Sequence, residues 1–118
     1  MVDYRNYKVW QKAHLLVIEV YRATGAFPQK EQFGLVSQIN RVVISIPAII
    51  AEGCGRETQK ELTRFLYISS GSALELDYLI MLSKELNFIN DKQFSNLSSK
   101  IQEIKKMLAS LIKIKQDL

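Results

Sequence analysis

Residues 41–56 read RVVISIPAIIAEGCGR, and two folds compete for them. Val42, Val43, Ile44 and Ile46 crowd together like a buried strand, and Gly53-Cys54-Gly55 follows like a phosphate-cradling turn. The alternative is a helix with Pro47 inside it and glycines at its end. A phosphate cradle needs a free, positive helix N-terminus. Here Glu57 and Glu61 occupy the start of the next segment, and the stretch has neither a Walker lysine pattern nor a third spaced glycine. The helical reading is therefore preferred.

Helical spacing extends to both sides of this stretch. Val36, Val43 and Ile50 are seven apart, and so are Ile39, Ile46 and Gly53. The two series interleave at the 3-4 spacing of a bundle helix. Leu35, Val42 and Ile49 add a second apolar line, so a helix predicted over about 30–53 has more apolar surface than one partner can cover. Pro28 sits at its entrance. Pro47 removes the amide that would bond the Val43 carbonyl, which predicts a kink between them. Ser45 is placed to rebond locally. Gln38, Arg41, Ser45, Ala48 and Glu52 share one polar and small-residue face. Gly53 and Gly55 are expected to stop the helix in left-handed conformations.

Three further helices follow from the same spacing. The first is predicted over about 7–24, with Asn6 as N-cap, Gly25 as stop, and Trp10, Ala13, Val17, Val20 and Tyr21 on one side. The third is predicted over about 58–87, opened by a capping box of Thr58 and Glu61. Its core line is Leu62, Leu66, Ser69, Ala73, Leu76, Ile80 and Ser83. The small run Ser69–Ala73 does not reset the hydrophobic phase, so the helix continues through it. The last is predicted over about 91–115 after Asn90, with Phe94, Leu97, Ile101, Ile104, Leu108 and Leu111 as its core. The fold class is all-α: an up-down-up-down antiparallel four-helix bundle forming a single domain over 1–118.

The bulk numbers bound the function. The chain has 118 residues, 47% hydrophobic and 24% charged, a globular balance. Cys54 is the one cysteine, so no internal disulfide forms. Met1–Lys8 is polar and predicts no secretory leader. No uncharged apolar run approaches the ~20 residues of a membrane span. The expectation is a cytoplasmic protein with no membrane association. Net charge is +4, spread unevenly: residues 1–56 carry +3, residues 57–90 carry −2 and residues 91–118 carry +3. A basic surface would come from the two ends of the chain, where Lys8, Lys12, Lys100, Lys105, Lys106, Lys113 and Lys115 are candidates for phosphate contact. No aromatic stacking platform or reading motif is evident beside them, so sequence-specific readout is not expected.

Little in the sequence suggests catalysis or a metal. His14 is the only histidine, and with one cysteine it cannot build a zinc site within one chain. It is expected to pack, partly buried, beside Trp10. Cys54 reads as a small turn residue, and Ser69, Ser70 and Ser72 as small residues that let helices approach. Glu52 and Arg56 are the most function-like charges; the structural alternative pairs Glu52 with turn amides, Arg41 or Arg56. No catalytic, cofactor-binding or metal-binding residue is assigned. Tyr67, Gly71, Leu74 and Tyr78 form a second line on the third helix and suit a subunit interface, where tyrosine buries its ring yet still bonds through its hydroxyl.

The segments YKVWQKAHLLVIEVY (7–21), FPQKEQFGLVSQINRVVISIPAIIAEGCGR (27–56) and RFLYISSGSALELDYLI (64–80) together resemble the bacterial four-helix-bundle proteins encoded in 23S rRNA intervening sequences. The motif positions carrying the likeness include Arg41, Ser45, Pro47, Glu52, Gly53, Gly55 and Arg56. The resemblance implies a closed bundle assembled as a ring-like homopentamer. The chain is also similar to accessory variability proteins of diversity-generating retroelements, basic pentameric barrels that bind nucleic acid and a reverse transcriptase. Two positions depart from the family: Ile49 stands where asparagine is usual, and Cys54 where an aromatic is common. The combined expectation is a non-enzymatic homo-oligomer, a pentamer, that binds RNA or DNA weakly. The alternative is a scaffold that recruits a partner protein.

Overall fold

The computed structural model describes residues 2–117. Four α-helices carry the fold: α1 (Lys8–Thr24), α2 (Leu35–Cys54), α3 (Gln59–Glu85) and α4 (Asp91–Gln116). Short 3-10 turns at Tyr4–Asn6 and Gln29–Glu31 precede α1 and α2. Among the described residues no strand forms. α1 packs on α2 and α4, and α3 packs on α2 and α4, whereas the two diagonal pairs do not meet at backbone distance. Short connections make each helix antiparallel to the next, so the bundle is square in section with α1 diagonal to α3. Its extents are 46 × 24 × 19 Å.

The core lines of α2 and α3, and of α4 from Leu97 to Leu108, lie where the spacing puts them; at the end of α4 Ile112 is buried in place of the expected Leu111, which is half-buried. Ile39, Val43, Ile46 and Ile50 are fully buried, and so are Leu66, Ser69, Ala73 and Leu76 across from them. Ile101, Ile104 and Leu108 complete the centre, joined by Ile112. The helix α3 runs unbroken through Ser69–Ala73. On α1 the phase is different from the expectation. Val9, Ala13, Leu16 and Val20 face inward, while Trp10 and Val17 are half-buried and Tyr21 is exposed. Apolar residues surround much of α1, so periodicity alone leaves its buried side open.

Several helix ends are also different. α2 starts at Leu35 rather than near residue 30, because no apolar period exists before Leu35 to bury; Phe33 ahead of it is exposed. Asn6 does not cap α1. It ends the first 3-10 turn, opened by an Asp3 carboxylate that accepts from the Arg5 amide, and Tyr7 precedes α1 without a side-chain cap bond. The Thr58 hydroxyl accepts from the Glu61 amide as expected, but the Glu61 carboxylate accepts from Arg64 at 3.0 Å instead of completing the box. Asn90 and Gln93 do form a full capping box at α4.

The glycines work otherwise than expected. No described glycine has a positive φ, and Gly55 ends α2 at φ −87°. Gly53 lies inside α2 and is buried, and a Cβ there would stand 2.7 Å from the Phe65 Cβ. It is glycine because α3 passes too close for a side chain. The left-handed residue is Asn87, at φ 64°. There the Phe88 amide bonds the Ser83 carbonyl and the Asn87 amide bonds the Lys84 carbonyl, a Schellman ending for α3.

α2 continues through Pro47 to Cys54. The Ser45 hydroxyl rebonds locally, to the Val42 carbonyl at 2.6 Å. One bond across the seam was not foreseen: the fully buried Ser69 hydroxyl donates to the Ile46 carbonyl at 2.9 Å, tying α3 to α2 beside the proline. By length and composition α2 and α3 would reach across a membrane; here their apolar faces supply much of the bundle core.

Candidate functional site

The FPQKEQFGL…GCGR motif divides between the inside and the outside of the bundle. Its inward part serves one ring. Gly53 leaves space for Phe65 of α3, and the Arg56 guanidinium lies 4.6 Å from the centre of the same ring. Arg64 approaches that ring at 4.9 Å. Phe65 is thus buried between a backbone with no side chain and two cations, a favourable site for an aromatic face. Pro47 is buried as well. Arg56 therefore has a packing role at the α2–α3 turn.

The outward part is Arg41, Ser45 and Glu52. Arg41 and Glu52 are exposed. Among the described residues the Glu52 carboxylate accepts no hydrogen bond and pairs with no cation, so the expected pairing with turn amides, Arg41 or Arg56 does not form. Its Gly55 neighbour bonds the Glu52 backbone carbonyl instead. Arg41 and Ser45 line an open polar groove between α2 and α3, with Gln38, Ser72 and Glu75. Ile49 is half-buried.

The seven lysines separate into three struts, one half-buried residue and three that are exposed without a carboxylate partner among the described residues. Three act as struts between helices. Lys12 meets Glu103 at 3.1 Å, Lys105 meets Asp77 at 3.8 Å, and Lys100 pairs with Glu19. Burial would raise the Glu19 pKa, but hydrogen bonds from Lys100 and Asn96 and the nearby Lys100 and Arg22 charges outweigh it and hold it below the ordinary value. Lys115 is half-buried, its ammonium 5.7 Å from the Tyr7 ring centre. Lys8, Lys106 and Lys113 are exposed, and none has a carboxylate within 4.0 Å among the described residues. Lys106 and Lys113 are seven apart on α4, on one face. Lys106 joins Lys8 at a groove of about 340 Å³ between α1 and α4, floored by Val9, Met107 and Leu111. The Tyr7 hydroxyl in its wall is enclosed and has no partner among the described residues.

An aromatic ladder is present that sequence reading missed. Tyr4 meets Trp10 edge-on at 5.0 Å, and His14 stacks on Trp10 at 5.0 Å with the planes 5° apart. His14 is exposed rather than partly buried. The i, i+4 spacing of Trp10 and His14 was the available signal. This ladder lies toward α2, away from the Lys8–Lys106 groove. Cys54 is buried, and that burial pushes its thiol pKa up, the opposite of an activated nucleophile. Among the described residues no three His, Cys, Asp or Glu side chains converge to hold a metal.

The second line of α3 points away from the bundle. Tyr67, Leu74 and Tyr78 are 53%, 58% and 55% exposed. Gly71 between them has nothing within 4 Å of where its Cβ would stand. The Tyr67 hydroxyl accepts from Gln116 at 3.0 Å, and among the described residues the Tyr78 hydroxyl has no hydrogen-bond partner.

A family model described as 23S rRNA-intervening sequence protein matches residues 5–110. The fold is similar to a crystal structure of a protein of unknown function from the S23 ribosomal protein family of Bacteroides thetaiotaomicron. The TM-score is 0.80 at 25% identity, over 89% of this chain and 98% of that one. No curated protein matches the chain. The match covers α1 to α3, most of α4 and the whole GCGR motif, so the chain belongs to the 23S rRNA-intervening sequence protein family.

Proposed function

We propose that the protein is a non-enzymatic, cytoplasmic homo-oligomer, pentameric as the family resemblance implies, that binds RNA or DNA weakly and with little sequence preference. The observation that carries the nucleic-acid reading is the set of exposed lysines without carboxylate partners, Lys8, Lys106 and Lys113, on one side of the bundle. Paired lysines cost an ion pair to recruit, whereas these three are available to phosphates. The exposed Tyr67, Leu74 and Tyr78 support self-association, because a helix that is apolar on its outer side needs cover. The buried, deactivated Cys54 and the stacked His14 support a non-catalytic role.

The test is binding to a labelled RNA at two salt concentrations. Each phosphate contact contributes about −0.7 to −0.9 to the slope of log K against log salt. Replacing Lys8, Lys106 and Lys113 by Gln together should flatten that slope by about 2, while the same change at Lys12 and Lys105 should flatten it less. No binding at low salt, or a slope indifferent to the first triple change, would refute the reading. A scaffold that recruits a partner protein is the second reading, favoured by the same exposed α3 face. A monomeric mass for the purified protein, with a defined protein still bound after nuclease treatment, would favour it over the first.

A further inference from the structure

The α3 stripe needs a surface to meet, and the bundle limits the choice. Three other outward faces carry exposed apolar residues. On α1 these are Leu15, Ile18 and Tyr21; on α2 the residue is Ile44, at 42% exposure, beside Ala48; on α4 it is Ile114. α1 is diagonal to α3, so their outer faces point about 180° apart, and head-to-tail contacts between them would run on as an open filament. α2 and α4 both neighbour α3, so each outer face is about 90° from that of α3, an angle at which head-to-tail contacts close into a ring. On α4, Ile114 stands beside Lys113 and Lys115, whereas α2 offers the unpartnered Glu52.

Height along the bundle agrees with this choice. The Ser69–Ile46 bond sets residue 46 of α2 level with residue 69 of α3. The helices are antiparallel with equal rise, so Ile44 is level with Gly71 and Ala48 with Tyr67. A copy rotated about an axis parallel to the bundle keeps these heights. It would bring Ile44 of one copy to the gap above Gly71 of the next, and the small Ala48 to the Tyr67 ring. Glu52 comes level with residue 63, between Lys60 and Arg64, all three exposed. An unpartnered carboxylate would then face Lys60, which has no carboxylate within 4.0 Å among the described residues, beside an Arg64 that already pairs with Glu61.

We infer that the outer face of α2, with Ile44, Ala48 and Glu52, is the docking surface for the α3 stripe of a second copy, in a head-to-tail ring. This rests on the homo-oligomer reading above and adds the surface that completes it. One consequence is directional. The faces used are those of α2 and α3, so the polar α2–α3 groove with Arg41 faces the ring centre. The α1–α4 groove with Lys8 and Lys106 faces outward, where a nucleic acid has access.

Cysteine pairs test the arrangement, with the wild-type protein and its buried Cys54 as control. Under mild oxidation, Ile44→Cys with Gly71→Cys should give a ladder of covalent species that stops at a limiting size, and each single variant should stay monomeric on a denaturing gel. Ala48→Cys with Tyr67→Cys repeats the test at another height should the first pair perturb folding, which circular dichroism reads. Covalent dimers from Gly71→Cys alone would mean a two-fold α3–α3 contact and overturn the proposal. A ladder without a limit, or none from either double variant while sedimentation shows an oligomer, would overturn it too. A monomeric wild-type mass would instead overturn the homo-oligomer reading, and this proposal with it.

Discussion

Gly53 and Gly55 stand two apart in one motif, and the structure predicts opposite results on replacing them by alanine. At Gly53 the new Cβ meets the Phe65 Cβ at 2.7 Å and the Leu62 Cδ1 at 3.3 Å. Carbon atoms in contact prefer about 3.5–4.0 Å. The Leu62 methyl can rotate away, but the Phe65 Cβ moves only with the α3 backbone. Overpacking of this kind costs about 1–3 kcal/mol, and the upper half applies because backbone must shift. Alanine recovers about 1 kcal/mol of helix propensity, leaving a net loss of about 1–2 kcal/mol. That corresponds to a fall in Tm of roughly 4–8 °C for a domain of this size. At Gly55 the nearest atom is the Glu52 carbonyl oxygen at 3.4 Å, and φ is −87°, open to any residue. Gly55→Ala should be neutral or stabilise slightly. Urea titration of both variants at one protein concentration measures this. Equal stability of Gly53→Ala and wild type, or a larger loss for Gly55→Ala than for Gly53→Ala, would refute the close-approach account and restore the left-handed stop.

Ser69→Ala removes the buried bond to the Ile46 carbonyl and should cost about 1–2 kcal/mol in the same titration; no change would mean the bond is replaced without loss. The Glu19 carboxyl titrates below its ordinary range when folded, so its contribution is full above the unfolded pKa and disappears as pH falls through the folded one. The stability gap between wild type and Glu19→Gln should therefore be about 0.5–1 kcal/mol at pH 7 and close in acid, and a gap that persists at pH 2 would argue for packing instead. Leu74→Asp or Tyr78→Arg should shift the mass in light scattering to that of a monomer with helicity retained, and an unchanged mass would count against the α3 face.

How much of this was legible depended on the range of the interaction. The core lines of α2, α3 and α4 are periodic within each helix, so Ile39–Ile46, Leu66–Ala73 and Ile101–Leu108 could be placed from spacing alone. The side of α1 that turns inward could not, because Val9 and Leu16 compete with Trp10 and Val17 for burial and only neighbouring helices decide. Lysine availability was equally hidden: Lys100 finds Glu19 across 81 positions, and nothing near Lys100 in sequence marks it as a strut. The role of Gly53 depends on Phe65 arriving from α3. A close approach has no signature in the chain beyond the glycine itself, which resembles a helix stop.

The division of the motif bears on what it is for. Pro47, Gly53 and Arg56 are accounted for within one chain, by the core and by the Phe65 ring. Arg41 and Glu52 are not: each is exposed, and Glu52 has no partner among the described residues. An isolated surface charge is unremarkable by itself. Glu52, however, shares its face with Ile44 and Ala48, at the heights of Arg64, Gly71 and Tyr67 on a helix whose own outer side is apolar. A solvated bundle would place polar residues at Tyr67, Leu74 and Tyr78. The proposed contact between copies would account for both irregularities, the unpaired carboxylate and the uncovered rings. A nucleic-acid role alone accounts for neither, since phosphates would be repelled by Glu52 and gain nothing from Leu74. The two surfaces therefore separate by mutation: Leu74→Asp should abolish assembly while leaving the Lys8, Lys106 and Lys113 groove intact on each monomer, and the loss in RNA affinity should then reflect lost multivalency rather than lost contacts.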